Sequence, residues 1–260
     1  MTHRSTAAVS TFAVAILLAL ASTGVAHAGV AGSVTLTSDY LFRGISQNNQ
    51  EPALQAGLEY AADTGAAISG VYVGTWGSTI SWLSDLTAFG IPVSNSLELD
   101  VYGGYRGKLS AKVAYDVGAL YYWYPGDYPS GFTSPDTGEL HAGITFGPFA
   151  GTTFGAKYSH ALTDLFGCAD SDGSGHLDLN ANWEFVPTWT LNVHGGKQWV
   201  ENNASAEYAD WKIGATKGFA NGFSAALAYA DTDADEPFYS NAYGNFLGED
   251  AVVLTVTKTF

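Results

Sequence analysis

The chain has 260 residues, and its composition is apolar, aromatic and rich in glycine. Hydrophobic residues make up 47% and charged residues only 13%, which excludes an intrinsically disordered chain. The 14% of aromatic residues and the 31 glycines favour strands and tight turns over helices. A formal net charge of −15 opposes binding to nucleic acid. With Cys168 as its single cysteine, the chain forms no intramolecular disulfide.

The first 28 residues have the parts of a secretory signal peptide. His3 and Arg4 precede an apolar run from Phe12 to Ala21, and Ala26-His27-Ala28 supplies the small residues of a cleavage site. The apolar run is shorter than the ~20 residues that a membrane-spanning helix needs. We therefore predict that residues 1–28 are a signal peptide and that residues 29–260 form the exported protein.

From residue 29 onward, apolar and polar residues alternate with the period of two that is typical of strands. In the first predicted strand the apolar face is Val34, Leu36, Tyr40 and Phe42, and the polar face is Thr35, Thr37, Asp39 and Arg43. Similar patterns predict further strands near residues 54–60, 71–76, 97–106, 113–121, 140–146, 154–158, 177–185, 189–194, 211–215, 223–229 and 252–256. The pattern therefore predicts an all-β chain of about 12 strands.

The connections between these strands alternate between short and long. The short ones lie near residues 62–65, 107–109, 147–149, 186–188 and 219–222, and the long ones near 45–51, 77–95, 125–137, 160–175, 200–205 and 232–248. In lipid every backbone polar group needs a partner, so strands span a membrane only when the sheet closes. We therefore predict a closed antiparallel up-and-down transmembrane β-barrel with short periplasmic turns and long extracellular loops, located in the outer membrane of a Gram-negative bacterium.

The last strand ends on an aromatic residue, Phe260. A terminal aromatic after an alternating strand resembles the signal that the outer-membrane assembly machinery reads. We therefore expect Phe260 to act as an assembly signal, with that machinery and outer-membrane lipids as partners.

Several segments resemble the TorF porin family. They are Thr37 to Gln47 (TSDYLFRGISQ), Glu51 to Gln55 (EPALQ), Ser96 to Asp100 (SLELD), Tyr115 to Gly118 (YDVG) and Asp210 to Gly214 (DWKIG). The first is the most specific, and the likeness extends over the exported chain. The resemblance implies an outer-membrane barrel that passes small solutes.

The alternation also predicts which charged side chains point into the lumen. The predicted inward acids are Asp39, Glu59, Glu98, Asp100, Asp116, Glu139, Asp178, Glu184 and Asp210, and the predicted inward bases are Arg43, Arg106, Lys112, Lys157 and Lys212. Carboxylates attract cations and repel anions, so their excess predicts a channel that prefers cations or neutral solutes. The alternative is that these charges only form a network that fills the interior. A barrel of 12 strands leaves the pore width open.

Each of two smaller motifs has two possible interpretations. Asp39 and Arg43 are predicted on one face of the first strand, where they either shape a constriction or form a structural ion pair. Asp170, Asp172, Ser174 and Asp178 have the spacing of a partial calcium loop, but Ala181 stands where a bidentate Glu is needed. We therefore predict no metal and no cofactor.

Two other functional classes stay open. Some outer-membrane barrels act on lipids, but His141, His160, His176 and His194 lie outside any recognisable nucleophile motif. The second class is a non-conducting structural or adhesive barrel that displays Trp82, Phe89, Phe132 and Phe238 on its loops. The prediction is that the protein is a channel and not an enzyme.

Overall fold

A computed structural model describes residues 29–62 and 70–260, and in this part of the chain twelve antiparallel strands form a closed barrel. Each barrel strand pairs with the barrel strands before and after it in the chain, and the first pairs with the last. The barrel strands are β1 (Gly29–Thr37), β4 (Ala53–Ala61), β5 (Gly70–Thr79), β6 (Leu97–Lys108), β7 (Val113–Trp123), β8 (Thr137–Phe146), β9 (Thr152–Ala161), β10 (Gly175–Val186), β11 (Trp189–Trp199), β12 (Tyr208–Gly218), β13 (Phe223–Thr232) and β14 (Ala251–Thr259). The labels β2 and β3 belong to a separate short hairpin in the loop after β1. The predicted fold class is confirmed. The predicted signal peptide and most of the turn after β4 lie outside the described residues.

The connections alternate in length, as predicted. The short ones are residues 109–112, 147–151, 187–188 and 219–222, and the long ones are 38–52, 80–96, 124–136, 162–174, 200–207 and 233–250. Short helical segments occur at Ser84–Phe89, Ala204–Ala206 and Ala220–Gly222 and at α1 (Glu236–Tyr239). No helix in the described ranges combines the length and the apolar character needed to cross a membrane.

The outer wall of the barrel is apolar and the inner wall is polar. Side chains such as Leu36, Val117 and Leu179 are exposed on the outside, with Leu179 49% exposed. Their neighbours in the strands, such as Thr35 and Thr37, are buried on the inside. A continuous apolar surface on a closed barrel requires an apolar solvent, which lipid acyl chains provide.

The barrel closes where β1 meets β14. Gly32 and Phe260 exchange two backbone hydrogen bonds of 2.9 and 3.0 Å. On the inside, the Thr35 and Thr257 hydroxyl groups are hydrogen-bonded at 2.9 Å. On the outside, the Phe260 ring lies against Gly32, and a Cβ atom at residue 32 would be 2.5 Å from that ring. The terminal aromatic predicted as an assembly signal therefore also packs across the closure.

The first long loop, residues 38–52, folds back into the barrel, and we call it the inner loop. It contains a hairpin of β2 (Leu41–Phe42) and β3 (Ile45–Ser46). The two residues between these strands, Arg43 and Gly44, have φ angles of 50° and 83°. Positive φ at both central residues is the geometry of a type I′ hairpin turn.

The prediction that the first strand continues through Phe42 is therefore wrong, because β1 ends at Thr37. Local hydrogen bonds hold the chain in its new direction. The Thr37 hydroxyl donates to the Asp39 carbonyl at 2.7 Å, and the Asn48 side chain accepts from the Tyr40 N–H at 2.9 Å. Apolar packing adds to them, because Tyr40 lies in a buried cluster with Trp76, Leu83 and Tyr124.

We expect Leu179→Arg to lower the free energy of unfolding in phospholipid bilayers by ~2–4 kcal/mol, the cost of a cation on the lipid face near the bilayer centre. Leu179 lies mid-strand on the outer wall. Asn180→Arg is the matched control, because Asn180 points inward beside Asp178. Denaturant titrations monitored by tryptophan fluorescence provide the measurement. Equal losses in the two variants would contradict the assignment of the two faces.

A second prediction concerns the closure. Gly32→Val should reduce stability by ~1–3 kcal/mol, because its side chain would overlap the Phe260 ring. The control is Gly138→Val on β8, where an added Cβ would meet no atom closer than 3.8 Å. Heat-induced loss of the compact electrophoretic form of the barrel measures the difference.

Candidate functional site

The candidate site is the lumen where the tip of the inner loop crosses it. The Arg43 Nη2 atom lies 2.8 and 2.7 Å from the two carboxylate oxygens of Glu139 on β8. Its Nη1 atom donates to the Gln198 side chain on β11 at 2.7 Å. Both charged side chains are buried, with 8% of Arg43 and 3% of Glu139 exposed. Arg43 therefore fastens the inner loop to two separate strands of the wall.

Gly44 lets the hairpin tip lie directly on the barrel wall. A Cβ atom at this position would be 2.5 Å from the Thr232 Cγ2 atom and 2.8 Å from the Asp210 Cβ atom. A side chain here would push the tip away from β12 and β13, and the φ of 83° also disfavours one. Glycine is thus needed for both space and backbone conformation.

Three carboxylates on the inner wall surround this region, and we call Glu98, Asp100 and Glu139 the upper carboxylates. The Tyr40 hydroxyl donates to Glu98 at 3.3 Å, and the Tyr122 hydroxyl donates to Glu139 at 3.2 Å. Asp100 is the register partner of Tyr122 and lies on the same face of β6 as Glu98. All three are buried. The upper lumen therefore holds more negative than positive formal charge.

Asp39 lies at the start of the inner loop and not on a strand. Its carboxylate accepts a hydrogen bond of 2.7 Å from the Ser46 hydroxyl. Burial raises the pKa of Asp39, and the Ser46 hydroxyl and the Tyr40 N–H act in the opposite direction. The predicted placement of Asp39 and Arg43 on one strand face is therefore wrong, because Asp39 bonds within the loop while Arg43 bonds to the wall.

Below the inner loop, the lumen is lined by a second group of charges that are partly exposed. Arg106 donates to Glu59 at 2.9 Å, and its guanidinium carbon lies 3.8 Å from the centre of the Tyr72 ring. Asp116 accepts from the Tyr72 hydroxyl at 2.6 Å and lies 3.1 Å from His141 Nε2. These contacts place Glu59, Arg106 and Asp116 together on the inner wall.

A third group joins two histidines and two aspartates on neighbouring strands. His194 lies between Asp178, 3.1 Å from its Nδ1 atom, and Asp210, 2.5 Å from its Nε2 atom. His176 lies 3.8 Å from the other oxygen of Asp210. The predicted set of lumen residues omitted both histidines, although His176 has the same strand parity as the inward Asp178. This shared parity could have identified His176 as an inward residue from the sequence.

The other predicted lumen residues lie in different places. Lys157 is the register partner of Asp178, and Lys212 lies on the same face of β12 as Asp210. Glu184 is exposed at the end of β10 and accepts from the Thr188 N–H at 2.8 Å. Lys112 lies in the turn after β6, where its Nζ atom donates to the Pro148 carbonyl at 3.0 Å. The assignment of Lys112 to the lumen is therefore wrong, because β7 begins only at Val113.

The four weak calcium candidates point in different directions. The Asp170 carbonyl accepts from Asn202, the Ser174 hydroxyl donates to the Ser171 carbonyl, and the Asp178 carboxylate bonds to His194. Asp172 lies in the loop between β9 and β10. Within the described ranges, no group of three or more His, Cys, Asp or Glu residues is arranged to hold a metal ion.

The barrel is similar to solved outer-membrane proteins that have little sequence identity with it. The KdgM porin has a TM-score of 0.53 at 6% identity, over 88% of this chain and 98% of that one. The NanC porin has a TM-score of 0.54 at 10% identity, over 89% and 98%. An outer-membrane channel of Pseudomonas putida F1 has a TM-score of 0.52 at 12% identity, over 91% and 97%. At these identities the likeness establishes the fold alone.

Family membership comes from the sequence. No curated protein matches the chain. The profile of a bacterial family of unknown function, Gcw_chp, matches residues 21–260, which includes every strand of the barrel. The chain therefore belongs to the Gcw_chp family of bacterial proteins.

Proposed function

We propose that this protein is an outer-membrane channel through which small solutes diffuse passively, with a preference for cations and neutral solutes. The observation that carries the proposal is a closed barrel with an apolar outer wall and a lumen in which Glu59 and Asp116 lie partly exposed beside the Arg106 guanidinium. The resemblance to TorF porins and the similarity of fold to two porins support it.

Electrostatics supports the cation preference. In the lower lumen two partly exposed carboxylates, Glu59 and Asp116, lie beside one guanidinium, that of Arg106. Carboxylates that line a narrow, poorly hydrated passage raise the local concentration of cations and exclude anions. One solved KdgM porin contains a disordered oligogalacturonate. An anion of that kind is a poor fit to this lumen, so we propose that this chain does not take it.

The narrowness of the lumen is the main argument for the competing class, a non-conducting barrel. The inner loop crosses the lumen and packs against β12 and β13 at Gly44, so the passage is narrow. We favour the channel because the lower lumen carries partly exposed charges at Glu59, Arg106 and Asp116. Charges that only filled an interior would be buried from water and fully paired.

Selectivity is the first prediction from this proposal. In planar bilayers with a salt gradient, the wild type should show a reversal potential whose sign indicates a preference for cations. The double variant Glu59→Gln/Asp116→Asn should reduce that potential, because it removes two partly exposed lumen carboxylates with little change in side-chain size. Glu184→Gln is the control, since Glu184 lies exposed at the far end of β10. Anion selectivity in the wild type would refute the preference, and absence of any conductance would refute the channel.

Release of the inner loop is the second prediction. Arg43→Met leaves Glu139 buried without its partner, at a cost of ~3–5 kcal/mol. Movement of the inner loop out of the lumen would let water reach Glu139 and relieve that cost. We therefore expect a larger single-channel conductance and faster hydrogen exchange over residues 38–52.

The matched control is Arg43→Met/Glu139→Leu, which removes both charges and should restore slow exchange over the inner loop. Similar exchange in wild type and Arg43→Met would show that the Arg43 contacts do not hold the inner loop in place.

A further inference from the structure

The extracellular end of the barrel contains a cavity that the channel proposal does not use. It has a volume of about 370 Å³, lies beside the inner loop, and is lined by residues of the long loops that follow β5, β7, β9, β11 and β13. We call it the vestibule. Its lining includes Phe42 and Arg43 of the inner loop and Trp82, Phe132, Phe166 and Tyr239 of the other loops.

Several polar groups that line the vestibule are bonded to the protein, whereas the buried Trp82 indole N–H has no hydrogen-bond partner in the described part of the chain. Arg43 is bonded to Glu139 and Gln198, and the Tyr239 hydroxyl donates to the Ala206 carbonyl at 2.7 Å. The Asn241 side chain donates to Asn49 at 2.6 Å and accepts from the N–H groups of two loop residues.

Asp85, the one carboxylate among the described residues of the lining, accepts from the Ser81 hydroxyl at 2.9 Å, and burial raises its pKa. Among these described residues Arg43 is paired with Glu139, and the surface apart from Asp85 is mainly aromatic and aliphatic.

We propose that the vestibule binds small uncharged molecules with an aromatic or other apolar body, before they reach the Arg43 constriction. The volume lies within the range of small-molecule sites, which are mostly apolar with few polar groups. Binding would cover apolar surface that otherwise faces water. This inference names the class of solute that the proposed channel takes, and to that extent it rests on the proposed function. Binding in the vestibule itself does not require conduction.

Three probes with the same body and different charge test the inference: 4-fluorobenzyl alcohol, 4-fluorobenzoate and 4-fluorobenzylamine. Binding to the full exported chain in detergent-free lipid nanodiscs is measured by ¹⁹F line broadening, and empty nanodiscs give the lipid background. We expect the alcohol to bind more tightly than both charged probes, because burial of either ion in this lining is unfavourable.

Aromatic side chains at two ends of the barrel provide matched variants. Phe89 lines the vestibule and is 62% exposed, while Phe149 lies in the turn after β8 and is 74% exposed. Phe89→Ser/Phe132→Ser should weaken binding of the alcohol roughly tenfold or more through lost apolar contact. Phe149→Ser should leave it unchanged. Heat-modifiable electrophoretic mobility verifies that each variant is folded.

The native cysteine provides a readout of location. Cys168 lines the vestibule, and the chain has no other cysteine. The alcohol should slow alkylation of Cys168 in the wild type, and less so in Phe89→Ser/Phe132→Ser.

Stronger binding of either charged probe, equal binding in empty nanodiscs, or equal loss in the Phe149 variant would overturn the inference. Conductance is measured in planar bilayers with protein from the same preparation. Binding of the alcohol without conductance would refute the channel alone, and conductance without binding would refute the vestibule alone.

Discussion

The need to pair every backbone N–H and C=O group in lipid is the constraint on which the rest of this structure depends. Twelve strands meet it by joining β1 to β14, so that the sheet has no free edge. Closure sorts side chains to two faces, with apolar groups such as Leu179 outside and polar groups such as Thr35 inside. At the seam the Phe260 ring lies directly against Gly32. The lumen and its charges follow from this closure.

A hydrogen-bonded sheet alone would leave the upper lumen open, and the inner loop narrows it. Burying Arg43 is unfavourable unless its guanidinium is paired, and Glu139 and Gln198 supply that pairing from two strands. Phe42 contributes too, since it contacts both the guanidinium and the Phe166 ring. The same residue therefore connects the charged constriction below with the apolar vestibule above. In the proposed channel, apolar contact in the vestibule would precede selection by charge in the lumen.

The histidine and aspartate group on β10, β11 and β12 lies next to the hairpin tip, because Asp210 contacts both His194 and the backbone at Gly44. Polar networks of this kind rigidify an interior only when their members are satisfied. In the described chain one Asp210 oxygen has no hydrogen-bond partner and faces His176 at 3.8 Å. The wall behind the inner loop is thus polar, while Tyr40, Trp76 and Leu83 belong to a buried apolar cluster.

Local pattern was sufficient for the strands, the alternation of short and long connections, and the inward direction of residues such as Glu98, Asp116 and Asp210. A period of two is a property of neighbouring residues, so it can be read along the chain. The inner loop could not be predicted in the same way. Residues 38–43 continue the alternation, but a hydrogen bond from the Tyr40 N–H to the Asn48 side chain and packing against distant strands turn them inward. The partner of Arg43 is Glu139, 96 residues away, and only the curvature of the closed barrel brings these two charges together.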